Sequence, residues 1–297
     1  MAQNADDENR FERIRKRLPS KRTRHTVAQL IVDPEKSQQF EERTGEVAPR
    51  FEDRSLQSLH ERGVLDEIVV QLKSGKEATV FVGRGPAGVV AVKLYRDLRV
   101  RSFRNDSVYR EGRFIGDART QRAIDNGTRR GQSAHELLWV EEEFRQLTAL
   151  FEAGIPVPRP IAHDGYAIVM ELIGDGIEPA LRLSELLLEG DAATSAFNQS
   201  VDILRAIVES GRVHGDYSTF NLLWHNERVI VIDLPQVMFM HESANAGDIL
   251  RRDIASLCHS FRRHGIDADE ADVLRNVIDE ETWRRLTLPS ARINTAQ

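Results

Sequence analysis

The chain has 297 residues, a formal net charge of −6 and a single cysteine, with 40% hydrophobic and 30% charged residues. That composition suits a globular protein in water, excludes an internal disulfide and gives no basis for general nucleic-acid binding. No stretch approaches the roughly 20 apolar residues of a membrane span, no apolar segment follows the polar start, and zinc-ligand spacing is absent, so a cytoplasmic chain without a membrane partner is expected.

Residues 1–50 are polar, partly basic and without sustained periodicity, and read as a disordered extension. Arg13, Arg15, Lys16, Arg17, Lys21, Arg22 and Arg24 crowd within it. A solvated tail is the expectation for this group, with contact to RNA or an acidic partner as the alternative. Phe51 to Arg62 is spaced as a short helix. Ile68, Val70 and Leu72 alternate as in a half-buried strand, and Ala78 to Val82 and Val89 to Tyr95 read as two more, with Gly83, Gly85, Pro86 and Gly88 marking the turn between them. Residues 99–132 carry a second basic group (Arg99, Arg101, Arg104, Arg110, Arg113) and few aliphatics, and read as a long flexible loop.

Ser133 with Glu136 forms a capping box for a helix whose stripe is Val140, Phe144, Leu147 and Phe151 and whose end is Gly154. IPVPRP cannot be helical. Tyr166 to Leu172 is the next strand, and Gly174 to Gly176 reads as a hinge. Helices are expected over Leu181 to Leu188, from Phe197 to Val208, around Cys258 and over Ala271 to Leu286. The pattern is α+β in two lobes: a β-rich N-lobe over 51–173 and a mainly helical C-lobe over 174–297.

HGDYSTFN, from His214 to Asn221, followed by VIDLPQ ending at Gln236, carries the chemistry. Phosphoryl transfer from ATP needs a carboxylate to orient the acceptor hydroxyl and take its proton, and an amide and a second carboxylate to hold the metal that bridges the phosphates. Asp216, Asn221 and Asp233 fit those roles in that order. Leu222 to Trp224 and Val229 to Ile232 flank a polar turn, so a β-hairpin is expected with Asn221 entering and Asp233 leaving it.

Lys93, in VVAVKLY, is costly to bury unless paired. Glu143 lies on the inward stripe of the helix after the loop and is the expected partner, ahead of Glu142. The pair would turn Lys93 toward the α- and β-phosphates. Ser74, Gly75 and Lys76 are candidates for phosphate contact, and the backbone at Glu171 and Ile173, with Met170 beneath, for an adenine edge.

SGKEATVF, AVKLYR, WVEEEFRQL with AGIPVPRPI, HGDYSTFN and IDLPQ together resemble the RIO family of atypical protein kinases, from about Phe51 to about Gly265. The resemblance implies a bilobal protein-kinase-like fold without the usual activation loop and peptide-binding helices. It implies ATP with Mg²⁺ or Mn²⁺, and transfer to Ser or Thr, often on the enzyme itself. By the same resemblance Asp216 is the catalytic aspartate, Asn221 and Asp233 the metal ligands and Lys93 the nucleotide lysine. Asp253 in LRRDIA matches a helical aspartate that props the catalytic loop. Gly215 and Tyr217 stand where the family often shows Ala and Leu, and Pro235 where Ser is frequent, which bears on substrate preference. Eukaryotic and archaeal relatives act in small-subunit ribosome maturation, so a ribosomal particle joins a protein substrate among the candidate partners. Two other readings use the same residues: a nucleotide-dependent assembly factor with slow ATPase activity, and an aminoglycoside-type phosphotransferase, against which SGKEA and IDLPQ argue.

Overall fold

The structure is a computed structural model that describes residues 27–75, 77–95 and 129–287. Lys76 and both basic groups lie outside the described residues. The chain packs as two units. The first takes the described residues up to Tyr95 with His135–Phe144 and Arg159–Pro179; the second takes Arg145–Pro158 and the chain from Ala180.

In the first unit, α1 (Val27–Leu30) and α2 (Pro34–Thr44) occupy part of the expected disordered extension. The polarity reading is correct for α2, which has no buried residue, but local signals still build the helix. Asp33 accepts from the Glu35 N–H, Pro34 stands at its start and Gly45 closes it in a left-handed cap. Leu30 and Phe51 then tie the segment to the core. The Glu52 N–H donates to the Leu30 carbonyl at 2.9 Å, and Ile31 bridges Phe51.

Helix α3 (Arg54–Glu61) is capped by Asp53 and buries Leu56 and Leu59. Five antiparallel strands follow, β1 (Glu67–Ser74), β2 (Ala78–Gly85), β3 (Gly88–Tyr95), β4 (Pro160–Asp164) and β5 (Ala167–Glu171), in the order β1-β2-β3-β5-β4. Leu56, Leu59, Phe81, Val90, Val92 and Val169 are among the residues that fill one core on this sheet. Strand β4, unforeseen within the proline-rich stretch, lies at the sheet edge, where a strand tolerates Pro160.

Helix α4 (Arg129–Glu152) begins before Ser133, so Ser133 lies within it and not at its cap. Gly174, expected in a hinge, pairs with Pro179 in a small hairpin of β6 (Gly174–Asp175) and β7 (Glu178–Pro179).

In the second unit, the helix expected over Leu181 to Leu188 is absent. Its place is taken by β8 (Leu181–Arg182) and a 3₁₀ turn at Leu183–Glu185. The reason is tertiary: Arg182 and Leu181 pair with Leu223 and Trp224 of β10 (Leu222–His225), and ladder pairing outweighs helix propensity. β10 forms the expected hairpin with β11 (Arg228–Val231), turned by Asn226 and Glu227 at positive φ. Helix α5 (Gly190–Glu209) precedes the short strand β9 (Arg212–Val213), which pairs with β12 (Met238–Phe239). Helix α6 (Ala246–Phe261) carries buried Cys258, whose thiol burial pushes up to about 11, an unreactive state. The single helix expected over Ala271 to Leu286 is two, α7 (Glu270–Val277) and α8 (Glu280–Thr287), because the Asp279 side chain accepts the Thr282 N–H and starts the chain afresh. No helix among the described residues is long and apolar enough to cross a membrane.

Replacing Phe51 by Ala should cost the first unit about 3 kcal/mol, the usual range for emptying a buried aromatic site. Urea titration followed by circular dichroism reads this. An unchanged midpoint would mean that the segment ending at Phe51 does not seal the core.

Candidate active site

Lys93 lies on β3, the central strand, between Val80 of β2 and Ile168 of β5. It is only 9% exposed. Its Nζ stands 2.7 Å from Glu143 Oε1 and 5.2 Å from the centre of the Tyr95 ring. A lysine at this depth keeps its charge only beside a carboxylate, and α4 supplies one. Glu141 is exposed and Glu142 half-buried, so helical phase selects Glu143.

Ser74 ends β1, and the Gly75 N–H closes the turn onto the Ala78 carbonyl at 2.9 Å. Met170 is half-buried near the end of β5. The Glu171 N–H donates to the Arg159 carbonyl at 2.9 Å. Ile173, half-buried, follows outside the strand.

In the second unit, His214 to Asn221 forms a loop held from beneath. Asp253 of α6 accepts the Gly215 N–H at 2.8 Å and the Tyr217 N–H at 3.0 Å. Arg252 donates to the Gly215 carbonyl at 3.0 Å. Gly215 has φ +86°, and a Cβ there would press against the Gln236 backbone and Cβ at 3.0 Å, so this position takes glycine. The Tyr217 ring is fully buried, and its hydroxyl donates to the Ser200 carbonyl of α5 at 2.8 Å. The Asp216 N–H donates to His214 Nδ1 at 3.3 Å, which calls for a neutral imidazole. Burial depresses the His214 pKa to about 4, against the pull of Asp233, and so favours that form. Burial raises Asp253 to about 6 while the two N–H donors and Arg252 hold it down, leaving it ionised at neutral pH.

Asp216 itself is exposed. The Asn221 amide nitrogen donates to its carbonyl and to its Oδ2, both at 2.9 Å. Leu222 pairs with Val231, and the Ile232 N–H donates to the Asn221 carbonyl at 2.9 Å. The register therefore puts Asn221 and Asp233 at the same end of the hairpin. Asp233 adopts φ +69°, a conformation a non-glycine residue holds only when its surroundings impose it.

With its nitrogen committed, Asn221 has an amide oxygen for a cation, and Asp233 adds a carboxylate. That all-oxygen pair fits Mg²⁺, which takes one or two protein ligands and completes its shell with phosphates and water. Among the described residues no three His, Cys, Asp or Glu side chains converge as a self-sufficient metal cage. Concavities of about 450 Å³ beside α2 and α3 and about 560 Å³ between α5 and α7 include none of Lys93, Asp216, Asn221 and Asp233, so chemistry and not volume marks the site.

Residues 79–274 match the family described as RIO domain. The chain belongs to the RIO family. Its relatives are named serine/threonine-protein kinases. RIO-type serine/threonine-protein kinase Rio1 of Haloferax volcanii is 35% identical over 235 residues, covering 78% of this chain and 77% of the relative. Serine/threonine-protein kinase RIO1 of Homo sapiens is 31% identical over 207 residues, covering 69% of this chain but 35% of the relative. The Caenorhabditis elegans RIO1 kinase is 30% identical over 256 residues, covering 86% and 46%. The chain thus spans less than half the length of these two animal relatives.

The Rio2 kinase crystal structure from Chaetomium thermophilum superposes with a TM-score of 0.56 at 22% identity, covering 76% of this chain and 67% of that one. That likeness establishes the RIO kinase fold, α+β with a sheet-rich first part and a mainly helical second.

Three features of this RIO chain were illegible in its sequence. The Tyr217 to Ser200 bond gave no local signal. Nor did burial of His214, whose Nε2 has no hydrogen-bond partner among the described residues. The third is the Arg212 guanidinium, 4.3 Å over the Phe239 ring and bonded to Gln146 of α4 at 2.7 Å. The first and the third join residues distant in the chain.

Two outcomes follow from the buried charges. Lys93→Met strands the Glu143 carboxylate and should cost about 3 kcal/mol, with much of the loss recovered in the Lys93→Met, Glu143→Gln double variant. Chemical denaturation of both variants checks this. Stability also depends on pH through two opposed groups. Asp253, raised to about 6, loses stabilisation as pH climbs from about 4 to 6. His214, lowered to about 4, gains it as pH climbs from about 4 to 6.5. Each swing is about 3 kcal/mol and the two nearly cancel. Asp253→Asn removes only the first, so between pH 4 and 6.5 its stability should rise relative to the parent by up to that amount. Parallel pH dependences would show that Asp253 is not proton-linked to folding.

Proposed function

We propose that the chain is an ATP-dependent RIO-type kinase that transfers the γ-phosphoryl group to Ser or Thr hydroxyls of proteins, its own included. The observation that carries the reading is the 2.9 Å bond from the Asn221 amide to the Asp216 carboxylate, with Asp233 at the same hairpin end. It joins a proton acceptor to a pair of oxygen donors suited to a phosphate-bound cation. The kinase names of the relatives support it.

Asp216 accepts the proton of the acceptor hydroxyl as its oxygen bonds to the γ-phosphorus and the bond from that phosphorus to the ADP oxygen breaks. Asn221 orients the carboxylate through its amide nitrogen. Its oxygen and Asp233 would hold Mg²⁺ or Mn²⁺, which when bound neutralises charge on the phosphates. Lys93, kept charged by Glu143, supplies the fixed positive charge for the α- and β-phosphates. Ser74, Gly75 and Lys76 are proposed to contact phosphate, the backbone at Glu171 and Ile173 to hydrogen-bond an adenine edge, and Met170 to pack on its ring. Asp253 acts through the loop, holding Asp216 in place. A ribosomal particle or RNA is proposed as partner through the basic segments, and the cytoplasm as the compartment, in keeping with one buried, unreactive cysteine.

The test is incubation with γ-labelled ATP and Mg²⁺, with and without a generic protein acceptor, beside Asp216→Ala. Label on Ser or Thr is expected, slowed by about 10²–10⁴-fold in the variant. Release of free phosphate with no Ser or Thr label would replace this reading with an ATP-hydrolysing assembly factor.

A further inference from the structure

The octapeptide His214 to Asn221 exposes only two side chains, Asp216 and Phe220. Exposure of Asp216 is what proton transfer to a macromolecular acceptor requires. Exposure of Phe220 is not accounted for by that chemistry. At 61% it is more exposed than Phe151, 39%, the other exposed Phe among the described residues. Isolated exposed apolar residues are ordinary on protein surfaces. Phe220 differs in where it stands and in how firmly it is displayed.

Its neighbours Thr219 and Asn221 are buried, and Asn221 is the residue bonded to the Asp216 carboxylate. The Asn221 N–H closes the turn onto the Ser218 carbonyl at 2.9 Å, and the Thr219 N–H donates to Ser260 Oγ of α6 at 3.3 Å. With both flanking residues anchored inward, the Phe220 ring cannot fold into the core. Strand β8, which carries the 38% exposed Leu181, packs against the same turn.

We propose that Phe220 selects the phosphoacceptor, packing against an apolar side chain one or two positions from the Ser or Thr. The proposal rests on the kinase reading above and names its substrate class: protein segments with an aliphatic or aromatic residue beside the acceptor. An extended segment advances about 3.3 Å per residue, so an acceptor hydroxyl at Asp216 brings its near neighbours alongside a residue adjacent to Asn221. Covering the ring removes two apolar surfaces from water together. A charged side chain at that position would instead lose hydration with nothing gained. Selection of this kind is positional and needs no deep pocket.

The experiment uses the full chain with ATP and Mg²⁺ on a peptide array with one Ser or Thr and each flanking position varied, comparing the parent with Phe220→Asp and Phe220→Leu. ADP binding by calorimetry reports that each variant is folded. The parent should favour Leu, Ile, Met or Phe over Lys or Asp at one neighbouring position by about tenfold. Phe220→Leu should keep that preference, and Phe220→Asp should lose it and turn toward Lys or Arg. An identical flanking profile in the parent and Phe220→Asp would overturn the selection role while leaving the kinase reading intact. Phosphate release by the parent with label on no peptide and no protein would overturn the kinase reading itself, and the selection role with it.

Discussion

One buried carboxylate braces the loop from His214 to Asn221 from beneath. Asp253 reaches up from α6 and accepts two backbone N–H groups, those of Gly215 and Tyr217, on either side of Asp216. A loop that must display a carboxylate to solvent cannot bury that residue to hold it still. The fixing is done through its neighbours, one bonded through its N–H and shaped by a left-handed φ, the other sunk into the core as a tyrosine. Burying Asp253 costs desolvation, which raises its pKa, and the two N–H bonds return part of that cost. Burial keeps His214 neutral, and the neutral ring can accept the Asp216 N–H.

The sheet unit solves a parallel problem with another device. Lys93 stands on the central strand of the sheet, held between its neighbours β2 and β5. Burying an unpaired ammonium there would be costly, and Glu143 at 2.7 Å offsets that cost. Placing the partner on a helix and not on a neighbouring strand allows helical phase to choose one of three consecutive glutamates. Glu141 and Glu142 take the wetter positions in consequence.

Where chemistry depends on a few residue types at fixed short spacing, the reading from sequence was close. HGDYSTFN and IDLPQ flank a hairpin whose pairing register was implicit in two apolar runs, and Asn221 and Asp233 leave its same end. The Lys93 and Glu143 pairing followed from strand alternation and helical phase together. Errors fell where packing overrode local preference. LRLSELLL has the composition of a helix, yet β10 captures Leu181 and Arg182 as a strand. Residues 27–50 look disordered by composition, yet Asp33, Pro34 and Gly45 cap a helix there and Leu30 joins the core. Those caps were visible in the sequence and carried too little weight against polarity.

The sequence by itself determined that Asn221 and Asp233 meet at one end of a hairpin, because two short apolar runs around a polar turn fix that local geometry. It also carried the caps of α2, α3 and α7, at Asp33, Asp53 and Asp269, since capping is decided within a few residues, but not the start of α4, which precedes Ser133. Only the tertiary structure decided that β3 is central and that Tyr217 bonds Ser200. Those outcomes depend on which distant segments meet, and periodicity tells which face of an element is buried but not what it is buried against.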